Sequence, residues 1–109
     1  MTKIQQETQQ HRKEAIFLAL AQIPEGYVIS YGELGKLAGL VNGARLVGRT
    51  LSNLPKGSNL PWHRVVNSQG KISLPPDSKS YKEQIRRLKA EGVQVVNEKI
   101  KMSVYGYNP

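Results

Sequence analysis

Residues Ser30 to Asn53 read SYGELGKLAGLVNGARLVGRTLSN, and two short helices joined by a tight turn are legible in them. Ser30-Tyr31-Gly32-Glu33 has the Ser-x-x-Glu form of a capping box, so a helix starts there. Leu34, Leu37 and Ala38 give that helix an apolar face, and Gly39 is placed to end it. Leu40-Val41-Asn42 then leads into a further helix over about Gly43 to Asn53. Its apolar positions Ala44, Val47, Leu51 and Leu54 recur with a period near 3.6. A short helix, a tight turn and a second, basic helix make a helix-turn-helix.

Working outward, residues 1–8 read as a polar lead-in and residues 9–109 as a single domain. From Gln9 to Ile23 the apolar residues Ile16, Phe17, Leu20 and Ile23 recur at helical spacing, and Pro24-Glu25-Gly26 ends the helix. Tyr27-Val28-Ile29 is β-prone. Downstream, Pro55 to Asn59 form a loop. Arg64-Val65-Val66 and Lys71 to Leu74 flank the turn-rich run Asn67-Ser68-Gln69-Gly70, which predicts a small hairpin or wing. Ser80-x-x-Glu83 predicts the start of a helix that ends near Gly92. Val93 to Val96 and Ile100 to Tyr105 are expected as short strands. The expected class is mixed α/β, helix-dominated, with a winged helix-turn-helix.

Sixteen Lys and Arg against eight Asp and Glu give a formal charge of +8 and a pI near 9.9. A compact basic domain usually meets a polyanion, most often nucleic acid. The charge is concentrated: from Tyr31 to Ile72 six basic residues (Lys36, Arg45, Arg49, Lys56, Arg64, Lys71) face one acid, Glu33. There is no cysteine, so neither a disulfide framework nor a thiolate metal site is open to the chain. No apolar stretch approaches the ~18 residues of a membrane span, and the amino terminus has no signal-peptide core. The expectation is a cytoplasmic protein, nucleoid-associated or nuclear according to its source, with no membrane partner.

Arg45 and Arg49, four apart, share a helix face with Ser52 near them. Gly48 on that side costs roughly 1 kcal/mol in helix propensity relative to Ala. Close approach of the helix backbone to a groove would explain it; a solvated basic face that happens to hold a glycine is the plainer account. Tyr31, read alone, is as readily a half-buried core tyrosine. Trp62, the single tryptophan, would ordinarily be a core anchor, yet it is wedged into Pro61-Trp62-His63-Arg64 and not set on an apolar face.

That tetrapeptide resembles the Pro-Cys-His-Arg motif of the O6-alkylguanine-DNA alkyltransferases, with tryptophan where the alkyl-accepting cysteine belongs. Ser30-Tyr31-Gly32-Glu33-Leu34, Gly43-Ala44-Arg45-Leu46-Val47-Gly48 and Pro61-Trp62-His63-Arg64-Val65-Val66 stand in that family's order and spacing, over roughly residues 12 to 92. A thiolate is the nucleophile of that chemistry, and an indole nitrogen has no usable lone pair to replace it. The chain is therefore similar to the alkyltransferase-like proteins and is expected not to be an enzyme.

The resemblance implies that the helix bearing Arg45 enters the minor groove, that Arg45 inserts into the base stack, and that Tyr31 helps rotate the nucleotide out. The implied DNA-binding residues are Tyr31, Gly43, Ala44, Arg45, Gly48, Arg49 and Ser52. The implied alkylguanine pocket is Tyr31, Trp62, His63, Arg64, Val65 and Ser73. His63, with no thiol to activate, is expected to be structural. Glu91 roughly matches the acid of the transferase relay, although the intervening helix reads as two residues longer.

The implied function is a non-enzymatic damage sensor. It would flip O6-alkylguanine into a pocket, leave the alkyl group in place and hand the lesion to nucleotide excision repair. Its implied partners are double-stranded DNA containing O6-alkylguanine and excision repair proteins, and it would act as a monomer. No cofactor and no metal are expected, since two isolated histidines make no ligand set. The alternative is a winged-helix transcription regulator reading base edges with Arg45 and Arg49, in which Pro61 to Arg64 have no purpose.

Overall fold

The computed structural model describes residues 3–55 and 57–109, with side chains from Gln9 onward. The loop residue Lys56 and the first two residues of the lead-in lie outside that set. Helix α1 spans Lys3–Ala21. It starts earlier than Gln9, because Lys3 to Gln10 hold no Gly or Pro and mostly good helix formers, so the helix propagates beyond its apolar stripe. Ile16, Ala19, Leu20 and Ile23 form the buried face. Tight turns from Gln22 N–H to Ala19 O and from Ile23 N–H to Leu20 O close the end before Pro24.

Strand β1, Ile29–Ser30, runs into α2, Tyr31–Leu37, and the turn at Gly39 to Gly43 leads into α3, Ala44–Ser52. Ser30 Oγ accepts the Glu33 N–H at 3.1 Å, so the capping residue is the predicted one. Only half of the capping box forms, since the Glu33 carboxylate accepts from Lys36 at 3.3 Å. At the other end Leu40 N–H reaches Gly35 O at 2.8 Å while Gly39 takes φ +80°. The two helices meet backbone to backbone. A Cβ on Gly35 would stand 3.3 Å from Gly43, and one on Gly43 would stand 2.8 Å from the Leu40 Cβ.

After the helix-turn-helix, a 3₁₀ turn at Trp62–Arg64 leads into β2, Val65–Val66. β2 pairs in parallel with β1, Ile29 opposite Val65 and Ser30 opposite Val66. Successive strand residues point to opposite sides. Val65 and Ile29 therefore join Leu20, Leu34 and Val47 in one core cluster, and Val66 and Val28 join Ile72, Leu88, Val93 and Ile100 in another. The small sheet is the seam between two cores.

Four predicted elements are placed differently. The hairpin between 64–66 and 71–74 does not form as a ladder: Asn67 to Gly70 make the turn, but Lys71 pairs with Lys99, and Ile72 N–H reaches Glu98 O. β2 already has β1 as its partner. Helix α4 spans Lys79–Ala90 and is capped by Ser78, whose Oγ accepts the Tyr81 N–H at 3.1 Å. Pro75 and Pro76 have turned the chain by Ser78, so Ser80 falls inside the helix, and Glu83 pairs with Arg86 and Arg87 instead of reaching back. The expected strands at 93–96 and 100–105 reduce to a Val96–Lys99 bridge around a left-handed Asn97-Glu98 turn (φ 51° and 66°) and a single helical turn, α5, Met102–Tyr105. The chain end then runs beside β1, with Tyr107 N–H donating to Val28 O at 2.7 Å.

Candidate nucleic-acid interface

Val47 and Thr50 turn into the protein, so the opposite face of α3 presents Arg45, Arg49 and Ser52, with Ala44 also exposed. A Cβ on Gly48 would meet no atom of the described residues within 4 Å. Internal packing therefore does not require this glycine, and the side chain it lacks would have pointed outward. Gly43, the N-cap of α3, supplies no side chain to the first-turn amides, and that turn has no acid. Such a helix start favours an anion. Gly43 itself is buried against α2, where helix packing leaves no room for a Cβ.

Beside this face lies a cavity of about 440 Å³, within the range of small-molecule sites. Gly48, Leu51 and Ser52 of α3 form one side, Tyr31 of α2 another, and Trp62 and Val65 a third. Tyr31 Oη and Ser73 Oγ lie 2.9 Å apart, which fixes the phenol. Of the expected pocket residues, Tyr31, Trp62 and Val65 thus line the cavity, and Ser73 is joined to it through Tyr31.

His63 and Arg64 do not line it. A 3₁₀ turn rotates successive side chains by about a third of a revolution, so with Trp62 facing the cavity its two successors face elsewhere. Both turn to Glu91. His63 Nε2 stands 2.6 Å from Glu91 Oε2; Arg64 donates from Nε and Nη2 to the same carboxylate at 2.8–3.2 Å and from Nη1 to Ile23 O at 2.7 Å. The Gly26 N–H also donates to Glu91, at 3.0 Å. Burial would raise the Glu91 pKa, but the hydrogen bonds from Arg64, His63 and Gly26 outweigh it and hold the carboxyl at about 2. Burial lowers His63 below its ordinary 6.5 in spite of Glu91. An ionised carboxylate only accepts, so the Nε2 of His63 carries the hydrogen. Its Nδ1 is buried without a partner among the described residues.

Sequence reasoning missed the wall supplied by α4. Arg87 lines the cavity with its guanidinium 5.4 Å from the centroid of the Trp62 ring, and Glu83 accepts from its Nε at 2.8 Å. Gln84, buried, donates to the carbonyls of His63 and Val65 at 3.1 and 3.0 Å and so fixes the turn that carries Trp62. A signal was present: Gln84 sits between Tyr81 and Leu88 at core spacing, and a polar residue there requires a polar partner. Among the described residues no three His, Cys, Asp or Glu cluster as a metal site, and no helix is long and apolar enough to cross a membrane.

Residues 11–93 match the family model of the 6-O-methylguanine DNA methyltransferase DNA-binding domain. A DNA base-flipping protein of Vibrio parahaemolyticus is 48% identical over 95 residues, covering 86% of this chain and 93% of the relative. Alkyltransferase-like protein 1 of Schizosaccharomyces pombe is 39% identical over 80 residues, covering 73% of this chain and 74% of the relative. The crystal structure of S. pombe Atl1 in complex with damaged DNA containing O6-carboxymethylguanine superposes with a TM-score of 0.85 at 32% identity, covering 92% of this chain and 97% of that one.

Proposed function

The chain belongs to the 6-O-methylguanine DNA methyltransferase DNA-binding-domain family, in its alkyltransferase-like branch, and from that premise we propose that it senses alkylated guanine without repairing it. It binds duplex DNA through the minor groove, rotates O6-alkylguanine into the cavity beside α3, and leaves the alkyl group in place. The observation that carries this reading is Trp62 on the cavity wall in a chain with no cysteine. A base-sized pocket is present and an alkyl acceptor is not. His63, in the position of a base, is bonded to Glu91 and has no nucleophile to activate.

Each wall has a physical part in this reading. Extruding a base costs a few kcal/mol, and contact with an aromatic face returns roughly 1–3 kcal/mol per base, which suits Trp62. The guanidinium of Arg87 adds positive charge facing the acceptor edge of guanine, or a carboxylate on the adduct such as that in the S. pombe complex. Gly48 opens the approach for the backbone of the nucleotide.

Holding a lesion helps a cell only if something else is brought to it. Small O6-alkyl groups distort a duplex little, whereas a bound domain with an extruded base distorts it strongly. The protein therefore acts as a monomer that hands such lesions to nucleotide excision repair. Deleting its gene should sensitise cells to alkylating agents, and deleting excision repair as well should add little; clearly additive sensitivity would reject the hand-off.

The direct test is titration into matched duplexes with and without one O6-methylguanine. Tighter binding of the lesion duplex, with base and protein both recovered unmodified by mass spectrometry, is expected. Trp62→Ala should lower the preference for the lesion about tenfold, given the stacking contribution, and leave plain-duplex affinity within about twofold. An alkylated protein, or unaltered preference in a folded Trp62→Ala variant, would remove this reading.

A further inference from the structure

On the side of α3 away from the cavity, a groove of about 520 Å³ runs between α1 and α3. We propose that it carries the phosphate backbone of the bound duplex, extending the DNA contact from the recognition helix onto α1. The inference rests on the DNA-binding reading above.

Three cations line this groove, Arg12 and Lys13 from α1 and Arg49 from α3, together with the amide side chains of Gln9, Gln10 and Asn53. Among the described residues no carboxylate lines it. Glu14, the sole acid of α1 from Gln9 onward, accepts a hydrogen bond from Gln10 at 3.1 Å and stands outside the lining. Arg12, Lys13 and Arg49 are all exposed, and none of them makes an ion pair among the described residues. Asn53 Nδ2 is committed to Arg49 O, at 2.9 Å.

Cations and amides with no acid describe a surface for an anion, and the neighbourhood selects which one. Arg49 belongs both to the groove and to the outward face of α3, where Arg45 lies one turn away. A duplex seated on that face places phosphates to either side of it. Arg12 and Lys13 are adjacent on α1, so their long exposed side chains leave the helix about 100° apart, and each can meet a phosphate of its own. A cation in water pairs with a phosphate as a sequence-independent contact, so these residues contribute affinity and not discrimination.

The test is an Arg12→Ala/Lys13→Ala variant in salt titrations on one duplex of about 25 base pairs, with and without a single O6-methylguanine. Alanine keeps the helix, and circular dichroism checks it. Affinity should fall about tenfold or more at low salt for both duplexes. The slope of log K against log salt should become shallower by about 1.8, two contacts at 0.9 each. The ratio of lesion to plain affinity should stay as in the wild type. Lys82→Ala/Lys89→Ala on α4 removes the same charge from another face and should leave the slope in place. An unchanged slope in the α1 variant, an equal loss in the α4 variant, or a loss confined to the lesion duplex would each overturn the groove. A wild type with no lesion preference would instead strike at the damage-sensing reading and leave the groove intact.

Discussion

Glu91→Ala is expected to destabilise the domain by about 3 kcal/mol, because removing one partner of a buried ion pair leaves the Arg64 charge uncompensated. The Glu91 and His63 side chains are only 9% and 8% exposed and that of Arg64 is 16% exposed, so water cannot replace the lost carboxylate well. For a domain of this size the loss corresponds to a fall in Tm of roughly 10–20 °C, measured by thermal melts at pH 7. The same network sets the acid response. Glu91 has a folded pKa of about 2 against an ordinary 4.5, so its contribution is whole above about 4.5 and disappears as pH falls toward 2. The pKa of His63 is also lowered, from 6.5, and the unfolded chain takes up that proton first. Stability should therefore decline with acid from about pH 6.5, and the portion between 4.5 and 2 should flatten in Glu91→Gln. A Glu91→Ala variant that melts within about 2 °C of the wild type would mean that the network is ornamental to stability.

Arg45→Ala should lower affinity for an O6-methylguanine duplex by about 10–100-fold, the largest effect of any single change on the outward face of α3. An extruded base leaves a gap in the stack, and an unfilled gap costs a few kcal/mol of unstacking. Arg45 is exposed at the first turn of α3, about one turn before Gly48, which lines the cavity, and its planar guanidinium can stack where the base was. Arg49 lines the opposite groove, so Arg49→Ala should behave as a phosphate contact, weakening plain and damaged duplexes alike. Fluorescence anisotropy on both duplexes separates the two. If Arg45→Ala and Arg49→Ala weaken the two duplexes in the same proportion, Arg45 fills no gap.

The helix-turn-helix was legible because its signals are local: Ser30 caps, Gly39 stops, and Val47 faces inward as its period requires, although Ala44 of the same expected face is exposed and Thr50 is buried instead. Local signals also explain the errors. Ser78 and Ser80 are both competent caps, and the choice between them depends on how Pro75 and Pro76 aim the chain. The segment at 70–72 could pair with 64–66 or with 98–100, and the parallel partnership of β1 with β2 decided it over a separation of 36 residues between Ile29 and Val65. At the site, Tyr31 and Trp62 were legible from the motifs. The match of Glu91 to the relay acid pointed to its pairing with His63, but the turn that brings Arg64 to the same carboxylate and takes both residues off the cavity was not legible, because side-chain direction in a 3₁₀ turn depends on where the turn begins. Arg87 was missed because its relation to Trp62 exists only once α4 packs across the motif.

A cavity walled by indole differs from one walled by thiolate in how it is used over time. A thiol that accepts an alkyl group forms a carbon–sulfur bond and is spent, so one molecule meets one lesion. In the damage-sensing role proposed above, Trp62 forms no bond and is returned unaltered at each release. Occupancy is then governed by residence time, and one molecule can visit many lesions in succession. For such a protein the meaningful quantity is its off-rate from damaged DNA, measured against how fast the next enzyme arrives.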